Sequence, residues 1–399
     1  MRIGMIVDIY KPHVSGVINY VYLSKRFLEK AGHTVYIFTF GEENYPDEEP
    51  NVILSPGIPV VNTGFYLSLN YKKQARLLLY TMDVVHVHHP FLGGPLAIRY
   101  CRPRGIPIVF TNHTRYDLLA HAYLPAVPDV VSDSVLSAYL PPFCRSCDLV
   151  IAPSEGVRQV MSHLGVDAPI EVIPNGVDLA PFEQPSLVKE RHEFGFTPAQ
   201  VLLIYVGRLG PEKNLPFLLR SFAGVAQALE NIRLMLVGDG SERDNLEDQA
   251  RNLGIASKVI FTGMVPYAEL PGYLAMADVF TTASVSEVHP LSVIEAMAAG
   301  LPVLGITSPG IADTINDGIS GLLANHDLAS FTAKMMRMVS EPELRKVLGT
   351  GAKEAVRIYD IRRTTSIMEE KYLLTRRHAS RRKYSFRARL TRFWDRWLP

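Results

Sequence analysis

Short apolar runs alternate with amphipathic stretches from the first residue to about residue 325. The opening run, 2–10, reads as a buried strand. Over 16–30 the residues Val17, Tyr20, Val21, Leu23, Phe27 and Leu28 recur at helical spacing, and Gly32 stops that helix. Further strands are predicted at 34–40, 84–88, 106–111, 147–153 and 170–174. The second half repeats the alternation, with strands at 201–206, 233–237, 259–262, 279–281, 302–305 and 321–323. Helices at 215–229, 242–253, 269–276 and 291–299 separate most of them. Val- and Ile-rich strands joined by helical crossovers predict mostly parallel sheets covered on both faces. The expected fold class is therefore α/β, two Rossmann-like domains facing each other across a cleft. Their border is expected between Asn175 and Gln200, a stretch broken by Gly176, Pro181, Pro185 and Pro198. The chain divides into 1–180, 181–360, a segment 361–375 returning to the first domain, and a tail 376–399.

Composition narrows the class. An apolar share of 47% over 399 residues suits folded globular domains. No run approaches the roughly 18 apolar residues of a membrane span, and the N-terminus reads as a strand rather than a signal peptide. Cys101, Cys144 and Cys147 are expected to be reduced. The last two form a C-x-x-C with no second pair to complete a metal site. A net charge of +1 conceals a basic end: residues 376–396 hold nine Lys/Arg and one acidic residue, leaving the rest mildly acidic. That distribution argues against a general nucleic-acid binder.

Ligands of such sheets bind beyond the carboxyl ends of the strands, and polar residues gather there. After the first strand, Gly16 opens a helix. It either lets a ligand approach the backbone or simply makes a turn. The dinucleotide fingerprint G-x-G-x-x-G is absent, so no nicotinamide or flavin is expected. After the fourth strand come His113, Tyr116 and His121. His86 and His88 share one face of the preceding strand and His89 takes the other, with no carboxylate or thiol spaced to complete a metal site. In the second half, strand 201–206 ends in Gly207-Arg208-Leu209-Gly210-Pro211-Glu212-Lys213, two cations able to neutralise a diphosphate. A salt bridge to Glu212 is the alternative, weighted more to Lys213 than to Arg208. In EVHPLSVIEAMAAG, Pro290 fits a first helical turn, and the N–H groups near Leu291 and Ser292 form an anion site. Glu287 precedes it and Glu295 lies one turn in.

These motifs, in this order, resemble the retaining glycosyltransferases of family 4, which have the GT-B fold, over 1 to about 373. The Glu-x7-Glu pair at Glu287 and Glu295, the cations Arg208 and Lys213, Pro174-Asn175-Gly176-Val177-Asp178 and Ser15-Gly16 carry the likeness. The resemblance implies an acceptor-binding N-terminal domain and a C-terminal domain that binds a nucleotide diphosphate sugar, with retention of configuration. His113 falls where the family has an active-site histidine directed at the transferred sugar. Glu287 would reach that sugar, Glu295 the ribose, and backbone near Val265 the base. His289 and Pro290 depart from the family's usual residues and bear on sugar choice. No cofactor and no metal are expected, because the cations already offset the phosphates.

His89-Pro90-Phe91, His113-Thr114-Arg115-Tyr116, His121 and Tyr123-Leu124-Pro125 look like the diacylglycerol glucosyltransferase subgroup. The implied reaction moves a hexose, glucose or mannose, to a membrane lipid such as diacylglycerol. A soluble or polysaccharide acceptor, or a non-catalytic sugar-nucleotide binder, is the alternative. Residues 65–80 place Tyr66, Lys72, Lys73 and Arg76 among Leu69 and Leu77. Read as a helix, they suit a membrane surface or an ordinary crossover. In the tail, Phe386, Leu390, Phe393 and Trp397 form a helical stripe with Trp394 at its edge, beside Arg387, Arg389, Arg392 and Arg396. This predicts a helix on an anionic membrane, at the cytoplasmic face. Packing on the N-terminal domain is one alternative, and a nucleic-acid arm, for which the aromatic stripe has no obvious use, is the other.

Overall fold

All four residues after Arg2 in β1 (Arg2–Ile6) are buried, as a strand covered on both faces requires. The computed structural model describes residues 1–11, 15–41, 49–60, 66–118 and 129–380. It contains two compact units. The first gathers Met1–His113, Asp129–Gly176 and the stretch from Ile361 onward; the second gathers Val177–Asp360 and a short stretch beginning at Thr114.

In the first unit, β1 pairs with β2 (Thr34–Phe40) on one side and β6 (Val84–Val87) on the other. With β3 (Val52–Ser55), β7 (Ile108–Thr111), β8 (Leu149–Ala152) and β9 (Ile170–Val172) they form one parallel sheet. Its order is β3-β2-β1-β6-β7-β8-β9. The order reverses between β1 and β6, the switch point where such sheets take ligands. Helix α1 (Gly16–Lys30) starts where Ser15 Oγ accepts from the Ile18 N–H at 3.3 Å. The helix Ile361–Ser380 lies against α1, sharing a cluster of Leu23, Phe27 and Ile361. It buries Tyr372 fully, worth about 2 kcal/mol of apolar transfer. Gly176 explains the Pro-Asn-Gly motif before it: a Cβ there would lie 2.0 Å from Thr364 Oγ1 on that same helix.

Residues 65–80 are not one helix. Tyr66 lies in β5 (Tyr66–Leu67), paired antiparallel with β4 (Ile58–Pro59), and α2 begins only at Lys73 (Lys73–Leu79). The intervening Tyr71 is buried and stacks on Phe40 at 5.3 Å, which draws the chain inward and breaks any continuous helix. Among the described residues, no helix is long and apolar enough to cross a membrane. Tail residues 381–399 and His121 lie outside the described residues.

The second unit is a six-stranded parallel sheet in the order β12-β11-β10-β13-β14-β15. The strands are β10 (Val201–Val206), β11 (Ile232–Val237), β12 (Val259–Gly263), β13 (Val279–Thr281), β14 (Val303–Ile306) and β15 (Gly321–Ala324). Its switch point lies between β10 and β13. The helices Leu215–Ala226 and Leu328–Ser340 pack together through Phe217 and Phe331, edge to face with centroids 5.5 Å apart. That order puts the loops after β10 and β13 side by side.

Candidate active site

The loops after β10, β11 and β12 are bonded to one another at the carboxyl edge of the second sheet. Gly207 donates its N–H to Val237 O at 3.0 Å, Leu209 to Asp239 O at 2.9 Å, and Gly238 to Gly263 O at 3.1 Å. The fit is close enough that a Cβ on Gly238, whose φ is +134°, would meet Gly207 O at 2.0 Å. Val265, the expected base-binding position, lies two residues past Gly263 and is partly exposed.

Both expected cations sit beside carboxylates, and it is Arg208, the one given less weight for a bridge to Glu212, that makes it. Arg208 Nη2 and Nε donate to Glu212 Oε1 at 2.7 and 3.1 Å, while Lys213 Nζ bonds Glu287 Oε1 at 2.7 Å. The turn Pro211–Lys213 folds Glu212 under Arg208, and the Ser286 hydroxyl donates to Glu212 O at 3.0 Å, bringing the 284–287 loop to Lys213. Burial pushes the Glu212 carboxyl up, but Arg208 and then Lys213 outweigh it, leaving its pKa below the ordinary value. The Arg208 side chain is 57% exposed, open to a further anion.

Pro290 is the residue before the helix Leu291–Ala298, not its first turn: its ψ of 112° is extended, and no side chain among the described residues caps the helix. The N–H groups of Leu291 and Ser292 therefore stay available. His289 is buried edge to face on Tyr359, centroids 4.8 Å apart, and burial lowers its pKa to about 3. It seats the loop. Glu295 is 3% exposed. Burial raises its pKa to about 7, and the Tyr267 hydroxyl, donating to Oε1 at 2.7 Å, pulls the other way. Tyr267 lies just past β12, so this bond joins the 263–267 loop to the helix.

In the first unit, a Cβ on Gly16 would meet nothing within 4 Å, so packing does not require glycine there. The three histidines come together at the ends of β6 and β7. His86 Nδ1 bonds the Tyr372 hydroxyl and Nε2 the Thr111 hydroxyl, each at 2.7 Å. His88 Nδ1 and His113 Nε2 are 3.0 Å apart. The rings of His86 and His88 lie 4.1 Å apart, and Tyr20 packs on His113 with centroids 4.8 Å apart. His89 takes the other face, its Nδ1 accepting from the Asp8 N–H at 3.2 Å. Burial lowers the pKa values of His86, His88 and His113, so all three are neutral near pH 7. Tyr116, in the short stretch grouped with the second unit, is partly exposed. Lys72 precedes α2, Lys73 opens it and Arg76 lies within it, with Leu69 and Leu77 exposed.

Residues 14–181 match the model of Glycosyltransferase Family 4, and residues 189–355 that of Glycosyl transferases group 1. Over 362 residues the chain is 33% identical to an alpha-monoglucosyldiacylglycerol synthase from Streptococcus pneumoniae, covering 87% of this chain and 80% of that protein. The chain belongs to glycosyltransferase family 4. A second alpha-monoglucosyldiacylglycerol synthase, from Acholeplasma laidlawii, is 30% identical over 376 residues, 89% of this chain and 92% of that one. Among solved structures, a sucrose-phosphate synthase from Thermosynechococcus elongatus superposes with a TM-score of 0.75 at 20% identity, covering 94% and 98% of the two chains. That likeness shows the GT-B fold. As a family 4 member, the protein is a retaining glycosyltransferase that uses a nucleotide-sugar donor.

For this glycosyltransferase, sequence reasoning missed Tyr267 and the His88–His113 bond. Tyr267 stands 28 residues from Glu295, and no periodicity relates them. His88 was visible only as the far end of an alternating HVH.

Proposed function

We propose that this glycosyltransferase moves a hexose, glucose or mannose, from a nucleotide diphosphate sugar to a membrane lipid such as diacylglycerol, while bound peripherally to an anionic membrane. The observation that carries the acceptor half is a surface of the first unit: Ile58, Leu67, Leu69 and Leu77 are each more than half exposed, beside Lys72, Lys73 and Arg76. Exposed apolar residues flanked by cations suit the boundary of a bilayer, where each cation contributes about 1 kcal/mol. The names of the two synthases, both lipid glucosyltransferases, support the same reading. Tyr66, Tyr116 and His121 belong to the acceptor side of this proposal, and residues 376–399 add a basic aromatic attachment.

The mechanism follows from where charge develops. As the bond from the anomeric carbon to phosphate breaks, positive charge grows on the ring and negative charge on the departing diphosphate. Arg208, Lys213 and the N–H groups of Leu291 and Ser292 offset the latter, typically the largest catalytic contribution. Glu287 and His113 hold the transferred hexose, Glu295 the ribose, and backbone at Val265 the base. Gly16 leaves room for the diphosphate at the start of α1. The lipid hydroxyl attacks from the face the diphosphate leaves and passes its proton to the departing phosphate oxygen, so configuration is retained. Glu287 binds hydroxyls; it is not a nucleophile.

The test is transfer of labelled hexose from UDP-glucose and GDP-mannose to diacylglycerol in anionic vesicles, against free sugars as acceptors. Label in the lipid fraction is expected; label only in soluble product makes the soluble-acceptor alternative correct.

A further inference from the structure

The bond between His88 and His113 fixes more than a ring position. Both nitrogens sit 3.0 Å apart, so one of them must carry the shared proton. Burial, and then the other histidines, disfavour a positive charge on either ring, so the pair is neutral and holds two protons in all. Two arrangements meet that count. In one, His88 donates from Nδ1 and His113 carries its own proton on Nδ1. In the other, His113 donates from Nε2 and His88 carries its proton on Nε2.

The surroundings of His88 choose between them. Its Nε2 is buried and, among the described residues, has no hydrogen-bond partner. The second arrangement would place an N–H there with nothing to receive it, the rarer and less tolerated kind of orphan. The first leaves only an unused lone pair. His88 is fully buried while His113 keeps some exposure, so Nδ1 of His113 is the ring nitrogen left for a ligand. Tyr20 holds the His113 ring from one side, and His86 backs His88.

We propose that His88 is a positioning residue that locks His113 in its Nδ1–H tautomer, making His113 a hydrogen-bond donor to a hydroxyl oxygen of the transferred sugar. This rests on the reading that His113 faces that sugar. The tautomer itself does not depend on it.

Two-bond ring 15N–1H correlation spectra of histidine-labelled, full-length protein read the tautomer directly, with His88→Met and His113→Gln variants assigning the two rings. Nδ1–H is expected for both rings in the wild type; an Nε2–H signal for His113 overturns the proposal, and this holds even if His88→Met proves unstable. In transfer from UDP-glucose to diacylglycerol, His88→Met should lose at least about tenfold in kcat while its affinity for UDP stays within about twofold. His88→Asn, whose amide supplies a donor near the Nδ1 position, should recover part of the loss. Wild-type kcat in His88→Met also overturns the lock. Wild-type kcat in His113→Gln instead removes the sugar-facing reading and leaves the measured tautomer standing.

Discussion

Lys213 Nζ lies 2.7 Å from Glu287 Oε1, with both side chains about one-fifth exposed, so the cation assigned to the donor's phosphate is bonded to the carboxylate assigned to its sugar. The two come from loops after β10 and β13, strands that are neighbours in the sheet though Lys213 and Glu287 stand 74 residues apart in sequence. A diphosphate entering the site must compete with Glu287 for that ammonium. In the proposed function, the same carboxylate, once released, accepts bonds from sugar hydroxyls.

Glu287→Gln should therefore act in opposite directions on binding and turnover. Removing the competing charge should raise affinity for free UDP about threefold, the ~0.7 kcal/mol of a partly exposed pair, while kcat falls about a hundredfold. Calorimetry and steady-state kinetics separate the two. Weaker UDP binding would show that the pair preorganises Lys213 rather than competing for it.

Arg208 grips Glu212 with two nitrogens on one oxygen, a use of the planar guanidinium that lysine lacks. Arg208→Lys should cost about tenfold or more in kcat/KM despite the conserved charge. An unchanged value within error would mean that Arg208 touches the phosphates weakly.

In its proposed place at the ribose, Glu295 should give donor binding a pH dependence. Burial stabilises its neutral form, with a pKa of about 7, whereas the carboxylate is the form that accepts bonds from ribose hydroxyls. Affinity for UDP should thus rise with pH between about 6 and 8. Tyr267→Phe deletes the donor that favours the carboxylate and should move this midpoint upward; Glu295→Ala should weaken UDP and the intact donor alike. Linkage runs the other way for folding: the stabilisation from keeping this buried group neutral is present at low pH and is lost as pH rises through about 7. Titrations showing flat UDP affinity across this window would remove Glu295 from the ribose.

Membrane attachment has two candidate sources, and they separate by deletion. The chain should be cut after Ser380, because Thr375 and Ala379 are buried and an earlier cut would expose the face of the helix Ile361–Ser380. Loss of 381–399 should remove most sedimentation with anionic vesicles, and salt should weaken what the full chain shows. Leu69→Asp, at a residue 88% exposed, should weaken the remainder without changing UDP affinity. Equal pelleting of the full and shortened chains would exclude the tail.

Much of the fold was legible because parallel strands buried on both faces read as plain apolar runs. The ranges 34–40, 201–206 and 279–281 correspond to β2, β10 and β13 residue for residue. Elements whose local signals conflict with their state were not legible. The helix Asp129–Ser146 contains Pro141 and Pro142, and β4 and β5 are two residues each and held by one another. At the donor site, the Glu-x7-Glu spacing pointed to the helix Leu291–Ala298 and the strand end pointed to both cations. Which cation meets which carboxylate depends on the turn Pro211–Lys213 and on the order of strands, and neither can be read from spacing alone. The neutral state of His88 and His113 was equally out of reach, since it comes from burial at the meeting of β6, β7 and α1.

The most direct measurement is the structure of the lipid product. The full-length protein, given UDP-glucose and diacylglycerol in anionic vesicles, should yield a glucosyl lipid whose anomeric proton, by NMR, reports the α configuration of the donor. A β-linked glucosyl lipid, or donor consumed with no sugar in the lipid fraction, would contradict the account.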